Sequence, residues 1–316
     1  MSEQSDRIEQ SPERLTPPNP HRSGYVAVVG KPNVGKSTLV NALVGHKVAI
    51  VSPKPQTTRR RIMGILTRDD AQIIFVDTPG IHEPRSALNK FMMREVENAL
   101  GDCDAILFVV DASARPDDND QRVAERIRTM AQPKVMALNK ADLMDPQEVI
   151  PLTESYQQIL GSENTMLTSG VQVRVENLNE LIAMLVAVLP EGPELYPPEQ
   201  YTDQPEKVLA AELIREQALR FLEQEVPHAV AVSVDEYAQR PNNITFVSAT
   251  IFVERDSQKG ILIGRNGGML KRIGMEARRE IEQMLGHKVY LELWVKVRES
   301  WRRDEEAVND LLGKQL

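Results

Sequence analysis

Only one cysteine, Cys103, occurs in the 316 residues. A lone thiol excludes an internal disulfide framework and fits a reducing compartment. Because it stands just before the apolar run Ala105 to Val110, with only Asp104 between, it reads as a packing residue rather than a nucleophile. Also missing is any apolar run close to the ~20 residues that a membrane-spanning helix needs. The best candidate, Leu181 to Leu189, reads as a short buried helix. Residues 1–22 carry Pro12, Pro17, Pro18 and Pro20 but no apolar signal-peptide core, and are expected to form a disordered tail. The expectation is a cytoplasmic protein whose contact with a membrane, where it occurs, is peripheral. Finally, the formal charge is −8, so no global basicity marks a nucleic-acid binder, although a net figure can hide a local basic patch.

Against these absences stands one dense stretch. Gly30, Lys31, Pro32, Asn33, Val34, Gly35, Lys36 and Ser37 follow the apolar run Tyr25 to Val29 and precede a helical pattern beginning at Thr38. Strand, G-x-x-x-x-G-K-S loop, helix is the arrangement of a phosphate-binding P-loop. Polyphosphate is multiply anionic, and inward-facing backbone N–H groups at a helix N-terminus cradle it. Glycines let the backbone approach closely, Lys36 adds a point charge on the outer phosphates, and Ser37 offers a hydroxyl to Mg²⁺. A nucleoside triphosphate is the expected ligand.

From Tyr25 to about Leu189, apolar strands alternate with helical patterns: strands at Ile62–Leu66, Ile73–Val76, Ala105–Val110 and Lys134–Leu138, and helices through Phe91 and Val96, Val123 and Ile127, and Leu178 to Leu185. This predicts an α/β domain with a mostly parallel sheet and helices on both faces, its ligand at the carboxyl ends of the strands. Three loops there are informative. The first, Val51 to Arg61, has two prolines and no helical period, and Thr57 or Thr58 can supply a second hydroxyl to Mg²⁺. The second, Asp77-Thr78-Pro79-Gly80-Ile81, places an acid at a strand end, so Ser37, Thr58 and Asp77 form the expected Mg²⁺ set. The third, Asn139-Lys140-Ala141-Asp142, selects the base: a carboxylate at Asp142 accepts from guanine N1–H and N2–H₂, whereas adenine presents a lone pair there. GTP and GDP are therefore the expected nucleotides, with Lys36 and Ser37 carrying the hydrolysis. Ile81 stands where many such enzymes have a water-orienting glutamine, so unaided turnover is expected to be slow.

Four prolines and a glycine between Pro190 and Glu199 mark a stiff linker. The expected division is a GTP-binding domain over 23–190, a linker over 191–205 and a second domain over 206–316. In the latter, a helix (Leu209 to Leu222) leads to an alternating strand (Val230, Val232, Val234), the turn Arg240-Pro-Asn-Asn and a strand from Ile244 to Val253. Ile263-Gly264-Arg265-Asn266-Gly267-Gly268 then opens a helix containing Lys271 and Arg272, and a last strand carries Val289 to Val297. The Gly264-x-x-Gly267 loop resembles the clamp of KH domains, which hold about four single-stranded nucleotides. Between Ser257 and Arg303 there are eleven Lys/Arg and five acids, a local +6 inside a chain of −8. A basic region on an acidic protein is the footprint of a polyanion site.

Taken together, Gly30 to Ser37, Gln56-Thr-Thr-Arg59, Asp77 to Ile81, Asn139 to Asp142 and the Ile-Gly-Arg-Asn-Gly-Gly run ending at Gly268 make the chain closely resemble the Era family, bacterial GTPases with a C-terminal KH domain. The resemblance implies an α+β KH domain of type II after the G domain. It implies binding of the 3′ end of 16S rRNA, a role in maturation of the 30S ribosomal subunit, and peripheral association with the inner membrane. It also implies that Asn33 helps to hold K⁺ in place of an arginine finger. A monomer is expected. One departure stands out: the family's Ser-Ala-x-x-Gly-x-Asn loop reads Ser169-Gly170-Val-Gln-Val-Arg-Val-Glu-Asn177 here, which puts the base contacts of Ser169 in question. The alternative function is a GTPase of tRNA modification or another RNA-bound GTPase without a role in ribosome assembly; the first of these would need a further catalytic domain.

Overall fold

The computed structural model describes residues 20–81, 86–171 and 175–313. Most of the expected tail, residues 1–19, and part of the Ser169–Asn177 loop, residues 172–174, lie outside them.

The first half is built on a six-stranded sheet. Its strands are β1 (Arg22–Val29), β2 (Ile62–Thr67), β3 (Ala71–Asp77), β4 (Ala105–Asp111), β5 (Lys134–Asn139) and β6 (Thr165–Leu167). They lie in the order β2-β3-β1-β4-β5-β6, all parallel except β2, which runs antiparallel to β3. The helices are α1 (Lys36–Val44), α2 (Ala87–Gly101), α3 (Asp118–Arg128), α4 (Val149–Leu160) and α5 (Val175–Val188). Alternate strand residues serve opposite layers: Val26 and Val28 pack toward α1 and α5, Ala27 and Val29 toward α2, α3 and α4. Burial on both faces is why the strands read as unbroken apolar runs. Arg22 already opens β1, so the domain starts inside the expected tail. Sequence periodicity missed β6, only three residues long, and α4, although its buried residues Leu152, Tyr156 and Leu160 recur every fourth position.

The second half contains α6 (Glu206–Phe221), α7 (Val226–Ala229), β7 (Ala231–Arg240), β8 (Ile244–Val253), α8 (Asp256–Ile263), α9 (Gly268–Leu285), β9 (Lys288–Val297) and α10 (Glu305–Val308). β8 is central, antiparallel to β7 and parallel to β9. Val247, Ala249, Ile251 and Val253 of β8 face α6, α8 and α9, giving this half its own core. Cys103 is buried in the first half, as a packing residue should be.

The proline-rich connection is fastened rather than free. Fully buried Gln72 accepts from the N–H groups of Leu195 and Tyr196 at 2.7 and 2.9 Å and donates to Tyr196 O at 2.8 Å. Ile65 N–H of the outer strand donates to Tyr201 O, and Thr202 Oγ1 donates to Met63 O. Among the described residues, no helix is long and apolar enough to cross a membrane.

Candidate functional site

The loop between β1 and α1 turns at Gly35 (φ 92°), and α1 begins at Lys36 with no side-chain cap. Its first N–H groups therefore face the loop's concavity, the arrangement that binds an anion. Lys36 is buried, and its ammonium donates to Gly30 O at 3.2 Å and Lys31 O at 3.1 Å. Burial lowers its pKa to about 8, against the opposing pull of the Asp77 carboxylate. The cleft above is lined by Pro32, Asn33, Gly35 to Thr38, Ile50 to Ser52, Gln56 to Thr58 and Gly80.

Three oxygen-bearing side chains converge beside it. Ser37 Oγ donates to Asp77 Oδ2 at 2.6 Å and lies 2.9 Å from Thr58 Oγ1, which is itself 3.3 Å from Asp77 Oδ2. Asp77 Oδ1 is buried and has no hydrogen-bond partner among the described residues. Burial pushes this carboxyl up to about 6, with Lys36, Ser37 and Thr58 pulling the other way. An unpartnered carboxylate oxygen next to two hydroxyls is a hard, all-oxygen donor set that fits Mg²⁺. Thr57 is excluded from it, since its Oγ1 donates to Lys54 O at 2.6 Å; the hydroxyl in the site is that of Thr58. Thr78 Oγ1 is spent on Val28 O, Pro79 is buried, and Ile81 N–H donates to Gly30 O at 3.2 Å, so this loop packs directly on the P-loop. The Ile81 side chain itself points into the core.

At the base-recognition end, Asn139 is buried and its amide is bonded within the protein. Its Nδ2 donates to Val34 O at 2.8 Å, while its Oδ1 accepts from Gly170 N–H at 3.1 Å. The side chain thus staples the P-loop to the loop after β6. Lys140, in the left-handed region at φ 63°, pairs with Asp111 Oδ2 at 2.5 Å, while Ala141 and Asp142 form a single turn with Asp142 exposed. Ser169 Oγ accepts from Val171 N–H at 3.4 Å. A Cβ at Gly170 would meet Thr38 Cγ2 at 3.0 Å and Leu39 N at 3.1 Å, so a side chain there needs these neighbours to shift by a few tenths of an ångström.

One expected site residue is placed otherwise. The Lys31 side chain turns away from the phosphate cleft to pair with Asp117 at 2.9 Å and with buried Asp120 at 2.7 Å, leaving only its backbone to the loop. Asn33 remains at the cleft, exposed and at φ 66°. The irregular loop from Val51 to Arg61 also reaches the second half. Arg59 is 2% exposed and donates to Val230 O at 2.6 Å and His228 O at 3.0 Å, its guanidinium 5.5 Å from the Trp301 ring. Nothing in the sequence signals these partners, because the two carbonyls lie 169 and 171 residues away and Trp301 lies farther still.

In the second half, Gly264 (φ 73°, ψ 175°) ends α8, Arg265 to Gly267 form one turn with Asn266 left-handed, and α9 starts at Gly268 without a side-chain cap. Ile263 is half-buried, while Arg265, Asn266, Gly268, Lys271 and Arg272 are exposed around this loop. A groove of 440 Å³ runs beside it between α9 and β9, lined by Gly267, Lys271, Gly274, Arg278 and Tyr290 among others. Lys259, Arg265, Lys271, Arg278 and Lys296 make no ion pair among the described residues, whereas Arg279, Lys288, Arg298 and Arg302 are each matched to an acid. The Arg272 guanidinium stacks 4.1 Å over Phe221.

A P-loop, an acid at the neighbouring strand end and a guanine-type loop, carried on a parallel sheet and joined to a glycine-loop α+β domain, define a GTPase with an attached KH module. The family described as "50S ribosome-binding GTPase" matches residues 25–140, and the KH domain family matches residues 225–302. A crystal structure of Era in complex with MgGDPNP and nucleotides 1506–1542 of 16S ribosomal RNA is 40% identical, with a TM-score of 0.89 over 92% of this chain and 99% of that one. A variant of Aquifex aeolicus Era bound to GDP.AlF4⁻ is likewise 40% identical, with a TM-score of 0.88 over the same shares. The chain belongs to the Era family of GTPases.

Proposed function

We propose that the chain is a GTP-hydrolysing switch that binds the 3′ end of 16S rRNA through its second domain and acts in maturation of the 30S subunit. What carries this reading is a single loop that touches both halves. Thr58 stands among the Mg²⁺-fitting oxygens while its neighbour Arg59 is bonded to the second domain. A state change at the γ-phosphate therefore has a covalent path to the RNA-binding half. The Era relative crystallised with a 16S rRNA segment supports the choice of RNA.

In this reading Lys36 and the first N–H groups of α1 hold the β- and γ-phosphates, and Asp142 accepts from guanine. Ser37 and Thr58 with Asp77 would hold Mg²⁺, which when bound neutralises charge on the transferred phosphoryl group. The protein's contribution to hydrolysis is electrostatic positioning, without a covalent nucleophile. With the Ile81 side chain in the core, no side chain at that position orients water, so turnover is slow until a partner or cation acts. We assign the cation role to K⁺ at exposed Asn33; equal GTP turnover in sodium and potassium buffers would remove that assignment. In this reading the protein works in the cytoplasm as a monomer, with peripheral contact to the inner membrane face.

The test is binding of an oligonucleotide matching the 3′ end of 16S rRNA, with a non-hydrolysable GTP analogue and with GDP. Tighter binding in the GTP form supports the switch. Binding indifferent to nucleotide would separate the two halves functionally, and absence of binding would refute the RNA assignment.

A further inference from the structure

The loop that carries Thr58 has no regular structure of its own between Val51 and Arg61. It is tied to α2 of its own half through Gln56 to Asn89 and Arg61 N–H to Glu95, and around Thr58 it is held by α6, the first helix of the second domain. Glu216 Oε1 accepts the Val51 N–H at 2.8 Å, at the start of the loop, while Glu216 Oε2 pairs with Lys47 at 2.5 Å. Arg215, 1% exposed, donates through Nη2 to Thr57 O, the carbonyl immediately before Thr58. That guanidinium is in turn held by Glu212 one turn earlier, with Nε–Oε1 at 3.1 Å and Nη2–Oε2 at 2.6 Å. Beyond Thr58, Arg59 is bonded to the carbonyls of His228 and Val230. Thr58 is thus fixed from both sides by groups that belong to, or grip, the other domain.

Burying charged side chains is costly unless their partners are well placed. Here two adjacent buried or nearly buried charges on one helix are directed at backbone groups of a loop in the other domain, where apolar contacts would have sufficed for packing alone. We propose that Arg215 and Glu216 are positioning residues for the GTPase reaction: the second domain sets the place of the Thr58 hydroxyl relative to Ser37 and Asp77, and so completes the Mg²⁺ site of the GTP state. GDP, which lacks the γ-phosphate, does not call on Thr58, so only the GTP state depends on this grip. The inference rests on Thr58 acting as a Mg²⁺ ligand in the proposed switch. By linkage, a ligand of the second domain that favours this docking raises the affinity for Mg²⁺ and GTP together.

The test uses the full chain with Arg215→Ala, Arg215→Lys, Glu216→Gln, Thr58→Ala and the double variant Arg215→Ala/Thr58→Ala. kcat and KM for GTP are measured across a Mg²⁺ series, and GDP affinity separately. Arg215→Ala is expected to lower kcat and raise the half-saturating Mg²⁺ concentration, each about tenfold, with GDP affinity unchanged. Arg215→Lys should recover part of the loss, and near-isosteric Glu216→Gln should lose about threefold, serving where the alanine variant is poorly folded. The double variant should be no worse than Thr58→Ala alone, because both remove one interaction chain. Loss with Thr58→Ala but none with Arg215→Ala or Glu216→Gln overturns the inference alone. A parallel fall in GDP affinity also overturns it, by marking the two residues as general supports. If Thr58→Ala is itself without effect, the underlying reading of Thr58 falls and the inference with it.

Discussion

Asn139 illustrates a residue whose type is legible in sequence while its partners are not. Its place in Asn-Lys-Ala-Asp pointed to the base, yet its amide is consumed by Val34 O and Gly170 N–H. Asn139→Ala strands a buried carbonyl and a neighbouring N–H, so unfolding in urea should show a loss of about 1–3 kcal/mol. GDP affinity should fall roughly tenfold as the P-loop loses its tie to the loop after β6. Weaker nucleotide binding at unchanged stability would instead assign the side chain to the base. Such ties escape a sequence reading because Val34 and Asn139 are brought together only when β1 and β5 flank β4.

His228 is a second case at this scale. Burial, and then the positive charges of Arg59, Arg302 and Lys54, hold its pKa below the ordinary value of 6.5. The folded state thus disfavours the protonated ring, while the unfolded chain takes up a proton near 6.5. Stability is complete above that pH and declines as pH falls below it, levelling off once the folded protein also binds the proton. Urea midpoints measured between pH 7.5 and 5 should show this slope in the native chain and a shallower one in His228→Gln. Equal slopes would show that other groups govern the acid limb.

Among the elements, the glycine loop before α9 separates two effects that substitution usually mixes. Gly264 lies at φ 73°, ψ 175°, a region essentially closed to other residues, and a Cβ there would come 2.7 Å from Met269 Cβ. Gly267 is simply left-handed, with nothing within 4 Å of its Cβ position. Gly264→Ala should therefore cost about 1–3 kcal/mol of stability. Gly267→Asp should cost only about 1 kcal/mol yet abolish most RNA binding, by setting a carboxylate at the uncapped start of α9. Thermal melts alongside oligonucleotide titrations distinguish the two, and an unchanged RNA affinity in Gly267→Asp would move the RNA site away from this loop. The loop was readable because its spacing is local. α8 was not, since its Ile261-Leu262-Ile263 run has no helical period and only Gln258 and Leu262 are buried along its eight residues.

For the molecule as a whole, charge distribution decides more than net charge. The +6 of residues 257–303 was visible in the sequence, but not which charges are already matched. Lys259, Arg265, Lys271 and Arg278 are left around or near the glycine loop without an ion pair among the described residues. If these four meet phosphates, the logarithm of RNA affinity should fall with log salt at a slope of about −3, from about −0.7 per contact. Lys271→Ala should weaken binding evenly across RNA sequences and reduce the slope by about 0.7. A slope near zero would mean that stacking and base contacts dominate. The two domains were equally plain in sequence, whereas their junction was not: Arg59, Arg215 and Trp301 read as ordinary surface or core residues until the chain is folded.

The fastening of the connection to Gln72, Met63 and Ile65 has a mechanical consequence. With the chain held as far as Thr202 and α6 starting at Glu206, any change in attitude of the second domain must turn about the few residues between. α6 is then a lever arm. Its 16 residues span roughly 24 Å, so a swivel of about 10° at Pro205 carries its far end about 4 Å. That end is where Lys54 reaches the Leu222 carbonyl, while Arg215 and Glu216 sit partway along the arm. A displacement too small to disturb the pivot is thereby enlarged past the reach of a hydrogen bond where the arm meets the nucleotide loop.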